Sequence, residues 1–160
     1  LSGEARDFYI NSRGKNEKEI QVNLPADMPL IHGDRAQLSQ VIYNLLSNAF
    51  KYGKKGMPVR INVAPNRSGT MLYLSISDEG DGIAPEHIPR LTERFYRVDK
   101  GRSKSIGGTG LGLAIVKHIS ERHGGRMEIT SEVGKGTTVS VLLPIAKKGA
   151  VADDVTNEST

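Results

Sequence analysis

The sequence contains no cysteine. That excludes a disulfide framework, a thiolate nucleophile and any zinc site built on sulfur, and it fits a reducing compartment. No apolar run approaches the ~20 residues that a membrane-spanning helix needs. The opening stretch, LSGEARDF, carries neither a signal-peptide pattern nor an initiator methionine, so the expectation is a piece of a longer protein. Aromatic residues make up only 5% of the chain, too few for a platform that stacks nucleic-acid bases. Charge is unbalanced but not concentrated: 22 Lys and Arg stand against 18 Asp and Glu, for a net charge of +4. Apart from residues 94–104 the cations are scattered, which reads as a solvated basic surface with no direct nucleic-acid partner.

What is present is ordinary for a globular domain. The 160 residues, 37% of them hydrophobic and 25% charged, suffice for one domain with a sizeable core. Residues 4–12 can form a short helix on Phe8, and 11–19 read as a loop. IQVNL, 20–24, alternates like a strand. Asp34 with Gln37 three residues on forms a capping-box pattern before a helix over about 35–52, which Gly53 ends. VRINVA, 59–64, and MLYLSIS, 71–77, predict a hairpin, and RMEITSE with GTTVSVLLP predict a second one around VGKG. Residues 85–95 predict a short helix or two, and 111–123 a longer helix that stops at Gly124-Gly125. From Lys147 the tail is polar and expected to be disordered. Helices on one face of a mixed sheet is the economical packing of these elements.

Three stretches carry chemistry. In NLLSNAFKYG, 44–53, a helix places Asn48 about 40°, Tyr52 about 80° and Lys51 about 340° around the axis from Asn44. These four share one border of the apolar stripe formed by Val41, Ile42, Leu45, Leu46 and Ala49, where a pocket between helix and sheet can open. An amide oxygen suits Mg²⁺, a lysine one turn away suits phosphate, and the tyrosine ring can pack on a base or sugar. The alternative is a pair of solvent-facing asparagines. DEGDG, 78–82, runs from a strand straight into glycines: a carboxylate there can accept from an exocyclic amine, and the glycines allow close approach. The alternative is a plain acidic turn. GGTGLGLAIVKHI, 107–119, is a glycine run feeding a helix, whose free N–H groups favour anions. It is neither a Rossmann fingerprint nor a P-loop.

In this order the motifs resemble the catalytic, ATP-binding (HATPase, Bergerat-type) domain of bacterial sensor histidine kinases, within the wider ATPase superfamily shared with gyrase and Hsp90. NLLSNAFKYG is similar to the N box, DEGDG to the G1 box, ERFYRVD to the F box, GGTGLGL to the G2 box and GKGTT to the last glycine motif. The resemblance covers about residues 20–145, and LTERFYRVD with GTGLGLAIVKH is reminiscent of the phosphate-regulon sensor type. It implies an α/β (α+β) sandwich, a mixed, mostly antiparallel sheet covered on one face by about three helices. It also implies a flexible ATP lid at 96–109. The domains become an N-terminal lead-in at 1–19, the kinase catalytic domain at 20–146 and a tail at 147–160.

The resemblance also implies roles. ATP and Mg²⁺ are the expected cofactors, with Asn48 holding the metal and Asn44 beside it. Lys51 and Tyr52 would contact phosphates and nucleotide. Asp78 would bind the adenine amine, helped by Gly82 and Thr137, with Gly80 and Ile83 lining the same site. Phe95 would anchor the lid, Tyr96 would touch nucleotide, and Arg97 would reach the γ-phosphate. Gly108, Thr109, Gly110, Leu111, Gly112 and Leu113 would surround the phosphates. Asn44, Lys51 and Arg97 form the expected catalytic set. Relatives of the gyrase type carry a general-base glutamate one turn before the magnesium asparagine. Asn44 occupies that position and cannot take a proton, which points to ATP held for transfer and not for hydrolysis. None of His32, His87, His118 and His123 sits in a phosphoacceptor sequence, so all four are expected at surface or packing positions.

The acceptor histidine is therefore expected on a helical dimerisation domain of the same protein, outside this chain, with a response regulator downstream. The parent is expected to be a membrane-anchored homodimer with this domain on the cytoplasmic side of the inner membrane, and the isolated fragment a monomer. The rival reading is a degenerate nucleotide-binding regulatory module without phosphotransfer.

Overall fold

The computed structural model describes residues 19–94, 96 and 112–146. Five strands, β1 (Ile20–Asn23), β2 (Val59–Pro65), β3 (Met71–Asp78), β4 (Arg126–Glu132) and β5 (Gly136–Pro144), form one sheet in the order β1-β2-β3-β5-β4. The β1–β2 pair is parallel and the other three are antiparallel. Among the described residues there are two α-helices, α1 (Arg35–Tyr52) and α2 (Gly112–Arg122). Helix α1 packs on β2 and β3, α2 packs on β4 and β5, and the two helices touch each other. The helix expected at 4–12, the lid at 96–109 except Tyr96, and the tail from 147 lie outside the described residues.

Period-two alternation decides which face the helices cover. Val59, Ile61 and Val63 of β2, Leu72, Leu74 and Ile76 of β3, and Val141 and Leu143 of β5 are all buried. They meet Val41, Ile42, Leu45, Leu46, Ala49 and Phe50 of α1 and Val116 and Ile119 of α2 in one core. Each such side chain fully buried is worth about 1.5–3 kcal/mol. The opposite face is polar near β3 and β5: Ser75 and Ser140 share a 2.8 Å hydroxyl bond, as do Ser77 and Thr138. Cross-strand registers Ser75↔Ser140 and Ser77↔Thr138 make these pairs direct neighbours.

The helix ends differ in part from expectation. The Asp34 carboxylate caps α1 by accepting from Ala36 and Gln37 backbone N–H at 2.9 and 3.2 Å. The return half of the capping box is replaced, because the Asp34 N–H donates to His123 Nε2 at 3.0 Å. With Nε2 accepting, Nδ1 carries the proton and donates to the Ile119 carbonyl at 2.8 Å. His123 thus ties the start of α1 to the end of α2. Gly53 follows α1 in an extended conformation, φ −70° and ψ 155°, and not in a left-handed one. At the end of α2, Gly124 at φ +78° donates to Glu121 and Gly125 donates back to Ser120, the Schellman pattern.

Of the helix expected over 85–95, the described residues 85–94 form one 3-10 turn, Ile88–Arg90, flanked by hydrogen-bonded turns. Pro85 and Pro89 supply no N–H, and Pro89 would collide with the preceding turn of any longer α-helix.

Candidate functional site

The last two turns of α1 form one wall. Asn44 is half-buried, and its Nδ2 lies wholly inside with no hydrogen-bond partner among the described residues. A buried donor left unpaired costs about 1–3 kcal/mol, so this amide fits an oxygen brought by a ligand. One turn on, Asn48 lies against the start of α2: a β-carbon built on Gly112 would stand 3.6 Å from Asn48 Nδ2 and 3.7 Å from Oδ1. The amide and the N-terminal end of α2 therefore face the same space. Lys51, half-buried, and Tyr52, at the exposed rim, close the last turn.

The second wall is the end of the sheet, and it is clamped to α1. Gly53 and Gly80 form an isolated antiparallel bridge, in which the Lys54 N–H donates to Glu79 O at 3.2 Å. Gly80 has no room for a side chain, because a β-carbon would fall 2.4 Å from Tyr52 O and 2.9 Å from Asp78 Oδ1. The Asp78 carboxylate accepts from the Gly80 N–H at 2.9 Å, an Asx-type turn that fixes it at the strand end. Asp78 continues the alternation of Leu72, Leu74 and Ile76, so it points to the helix-covered side. Thr137 pairs directly with Asp78 across β3 and β5, and Ser131 pairs with Thr137 across β5 and β4. The three residues form a row across β3, β5 and β4 on the same face of the sheet. Outside it, Arg60 holds Glu79 at 2.9 Å.

The loop after Asp78 is pinned to the β4–β5 turn. The Gly134 N–H donates to Asp81 O at 2.7 Å, and Gly82 stands at φ +76° with an imagined β-carbon 2.1 Å from Glu132 O. Only glycine satisfies both demands. Ile83, next to it, donates its N–H to Ser131 Oγ at 2.8 Å. Ser131 Oγ also bonds Gly136 O at 2.9 Å and Thr137 Oγ1 at 2.8 Å. Sequence reading passed over Ser131. Its signal was there in the pairing of RMEITSE with GTTVSVLLP, which sets Ser131 opposite Thr137 once the hairpin register is known.

Tyr96 is held from the protein side: its hydroxyl bonds His87 Nδ1, and Arg90 lies over its ring, 4.3 Å from the centroid. Glu93 anchors that guanidinium at 2.9 Å and, by this hydrogen bond and its charge, raises the Arg90 pKa. Leu113 packs against the core. Phe95, Arg97, Gly108, Thr109, Gly110 and Leu111 lie outside the described residues. Among the described residues no three His, Cys, Asp or Glu stand together as a metal cluster. An amide oxygen such as that of Asn48, together with oxygens of an anionic ligand, is a donor set that would suit Mg²⁺.

Comparison with known proteins agrees with this geometry. The chain is 46% identical over 138 residues to the phosphate regulon sensor protein PhoR of Pseudomonas aeruginosa, an overlap of 86% of this chain and 30% of that protein. It is 43% identical over 122 residues to the sensor histidine kinase WalK of Bacillus subtilis, 76% of this chain and 20% of that one. The chain thus spans a fifth to a third of the relatives it matches. Among solved structures, the mycobacterial sensor histidine kinase MprB aligns with a TM-score of 0.71 at 28% identity, over 89% of this chain and 91% of that one. Full-length ShkA, solved in complex with AMPPNP, aligns with a TM-score of 0.76 at 28% identity, over 94% of this chain and 30% of that one. Residues 33–147 match the family described as histidine kinase-, DNA gyrase B-, and HSP90-like ATPase, and the chain belongs to that family.

Proposed function

We propose that this chain is the ATP-binding catalytic domain of a sensor histidine kinase of the phosphate-regulon type, and that it passes the γ-phosphate of ATP to a histidine on a helical dimerisation domain of the same protein. The observation that carries the reading is Asn44. An amide whose N–H is buried and unpartnered stands one turn before Asn48, where a hydrolase of this superfamily needs a carboxylate. An amide can donate to a phosphate oxygen or an ordered water but cannot deprotonate that water.

The mechanism is one of positioning and charge neutralisation. Asp78 and Thr137 take the base at the sheet end, with Gly80, Gly82 and Ile83 allowing the ring to lie close to the backbone. The triphosphate runs along α1 towards the start of α2, where Gly112 and the preceding glycines offer N–H groups. Lys51 neutralises phosphate oxygens, and Arg97 meets the charge that develops on the γ-phosphoryl group in the transition state. Asn48 would hold Mg²⁺, which when bound supplies further neutralisation of the phosphates. The nucleophile is an imidazole nitrogen from the partner domain, and the leaving group is ADP. The bond from γ-phosphorus to the bridging oxygen breaks as the phosphorus–nitrogen bond forms.

In this reading the parent protein is a membrane-anchored homodimer with this domain on the cytoplasmic side, and a response regulator is the next phosphate acceptor. The test mixes this chain with radiolabelled ATP, Mg²⁺ and a separately produced acceptor domain. Label stable to base and labile to acid should appear on the acceptor histidine, while the chain alone hydrolyses ATP slowly. Fast hydrolysis by the chain alone, or ATP binding without any transfer, would overturn the proposal; the second outcome would make it a regulatory nucleotide-binding module.

A further inference from the structure

Building on the proposed adenine site, we infer that Ser131 is a specificity-determining positioning residue. It commits the Thr137 hydroxyl to act only as an acceptor toward the base, so that Thr137 and Asp78 together reject a purine with a 6-oxo group. The argument is a count of protons. A serine hydroxyl has one proton to give and two lone pairs to receive. Ser131 Oγ donates to the Gly136 carbonyl at 2.9 Å and receives the Ile83 N–H at 2.8 Å. The contact that remains, Thr137 Oγ1 at 2.8 Å, can then form only if Thr137 donates its own proton to Ser131. Thr137 is left with lone pairs alone.

The next position in the row is Asp78, paired with Thr137 across the strands, and a carboxylate is likewise an acceptor. The pocket edge therefore presents acceptors side by side. An exocyclic amine satisfies that edge. A carbonyl oxygen at the same place meets lone pairs and a negative charge with no proton between them, the kind of mismatch that gives large discrimination. The backbone around these groups is closely packed: Gly136 stands at φ +138° with an imagined β-carbon 2.1 Å from Asp78 O, and one on Gly82 would fall 2.1 Å from Glu132 O.

Without Ser131, the Thr137 hydroxyl is released to rotate and donate. Calorimetric titration with non-hydrolysable analogues of ATP and of inosine triphosphate, whose base carries a 6-oxo group, reads the consequence as a ratio of affinities. Ser131→Ala should reduce the preference for the adenine analogue by about tenfold, chiefly by tightening the inosine analogue. Ser131→Thr, which keeps the hydroxyl, should restore it. In a Thr137→Val background, Ser131→Ala should leave the ratio where Thr137→Val put it. A merely structural Ser131 would weaken both nucleotides alike, and an unchanged ratio in Ser131→Ala overturns the inference while the adenine reading stands. A parent chain that binds both analogues equally overturns that reading and the inference together. Should Ser131→Ala not fold, Ser131→Cys decides: its weak donor and acceptor should give an intermediate ratio, and an unchanged ratio there also overturns the inference.

Discussion

At the scale of single residues, function and stability pull apart, and the variants should separate them. Asn44 carries a buried amide donor with no partner among the described residues, so Asn44→Ala removes a cost along with the ligand contact proposed for it. Its stability in urea should stay within about 1 kcal/mol of the parent or rise. Its affinity for nucleotide and its transfer rate should both fall; equal affinity would contradict the role given to this amide. Asn48→Ala should lose about tenfold or more of the Mg²⁺-dependent part of nucleotide affinity, the scale of one lost contact to a charged group, and little of the Mg²⁺-independent part. Titration with and without the ion measures both. Gly82 shows the opposite balance. A β-carbon there meets Glu132 O at 2.1 Å on a backbone at φ +76°, so Gly82→Ala should destabilise the fold by about 2 kcal/mol or more, seen as a lower urea midpoint. An unshifted midpoint would mean that the β4–β5 turn yields easily.

At the scale of elements, much was legible because the signals were local. The stripe of Val41, Ile42, Leu45, Leu46 and Ala49 identified both the helix and its buried face; the structure adds Phe50 at its edge. The glycines at 124–125 ended α2 where expected, through a left-handed residue. Both hairpins follow from alternation and turn chemistry. The elements that escaped reading depend on partners far away in the chain. Insertion of β5 between β3 and β4, and parallel pairing of β1 with β2, are long-range choices that no window of sequence encodes. The capping box failed for the same reason: the Asp34 N–H finds His123, 89 residues away, before it finds Gln37. His123→Ala should therefore cost about 1 kcal/mol of stability in chemical denaturation, since it gives that N–H to water and unlinks the helices. A loss no greater than that of His118→Ala, a change at an exposed position, would show that the link carries nothing.

At the scale of the whole molecule, the fold is a device for bringing two chain segments to one helix. The parallel β1–β2 crossover carries α1 across the sheet, and the Gly53–Gly80 bridge locks its last turn to the strand end that bears Asp78. The start of α2 reaches the same helix at Asn48. The strand end that bears Asp78 and the start of α2 thus share α1 as a common wall, meeting it at Gly53 and Asn48, about 7.5 Å apart on the rise of ~1.5 Å per residue. Of the residues that the motifs single out, Asn48 and Gly112 stand close together, as do Asp78 and Thr137. The motif order could not announce the Ser131 hub, which exists only through the register of two hairpins. The two contacts with α1 lie at separate points of that wall, so they should act independently: Asp78→Ala should weaken the adenine analogue far more than the GTP analogue and leave the Mg²⁺ dependence proposed for Asn48 in place, as calorimetric titration would read.

The measurement that bears most directly on the account is calorimetric titration of this chain with a non-hydrolysable ATP analogue, with and without Mg²⁺, beside the corresponding GTP analogue. Saturable binding with one site per chain, strengthened by Mg²⁺ and selective for adenine, is the predicted result. A folded chain that binds neither nucleotide, or binds both equally, would contradict it.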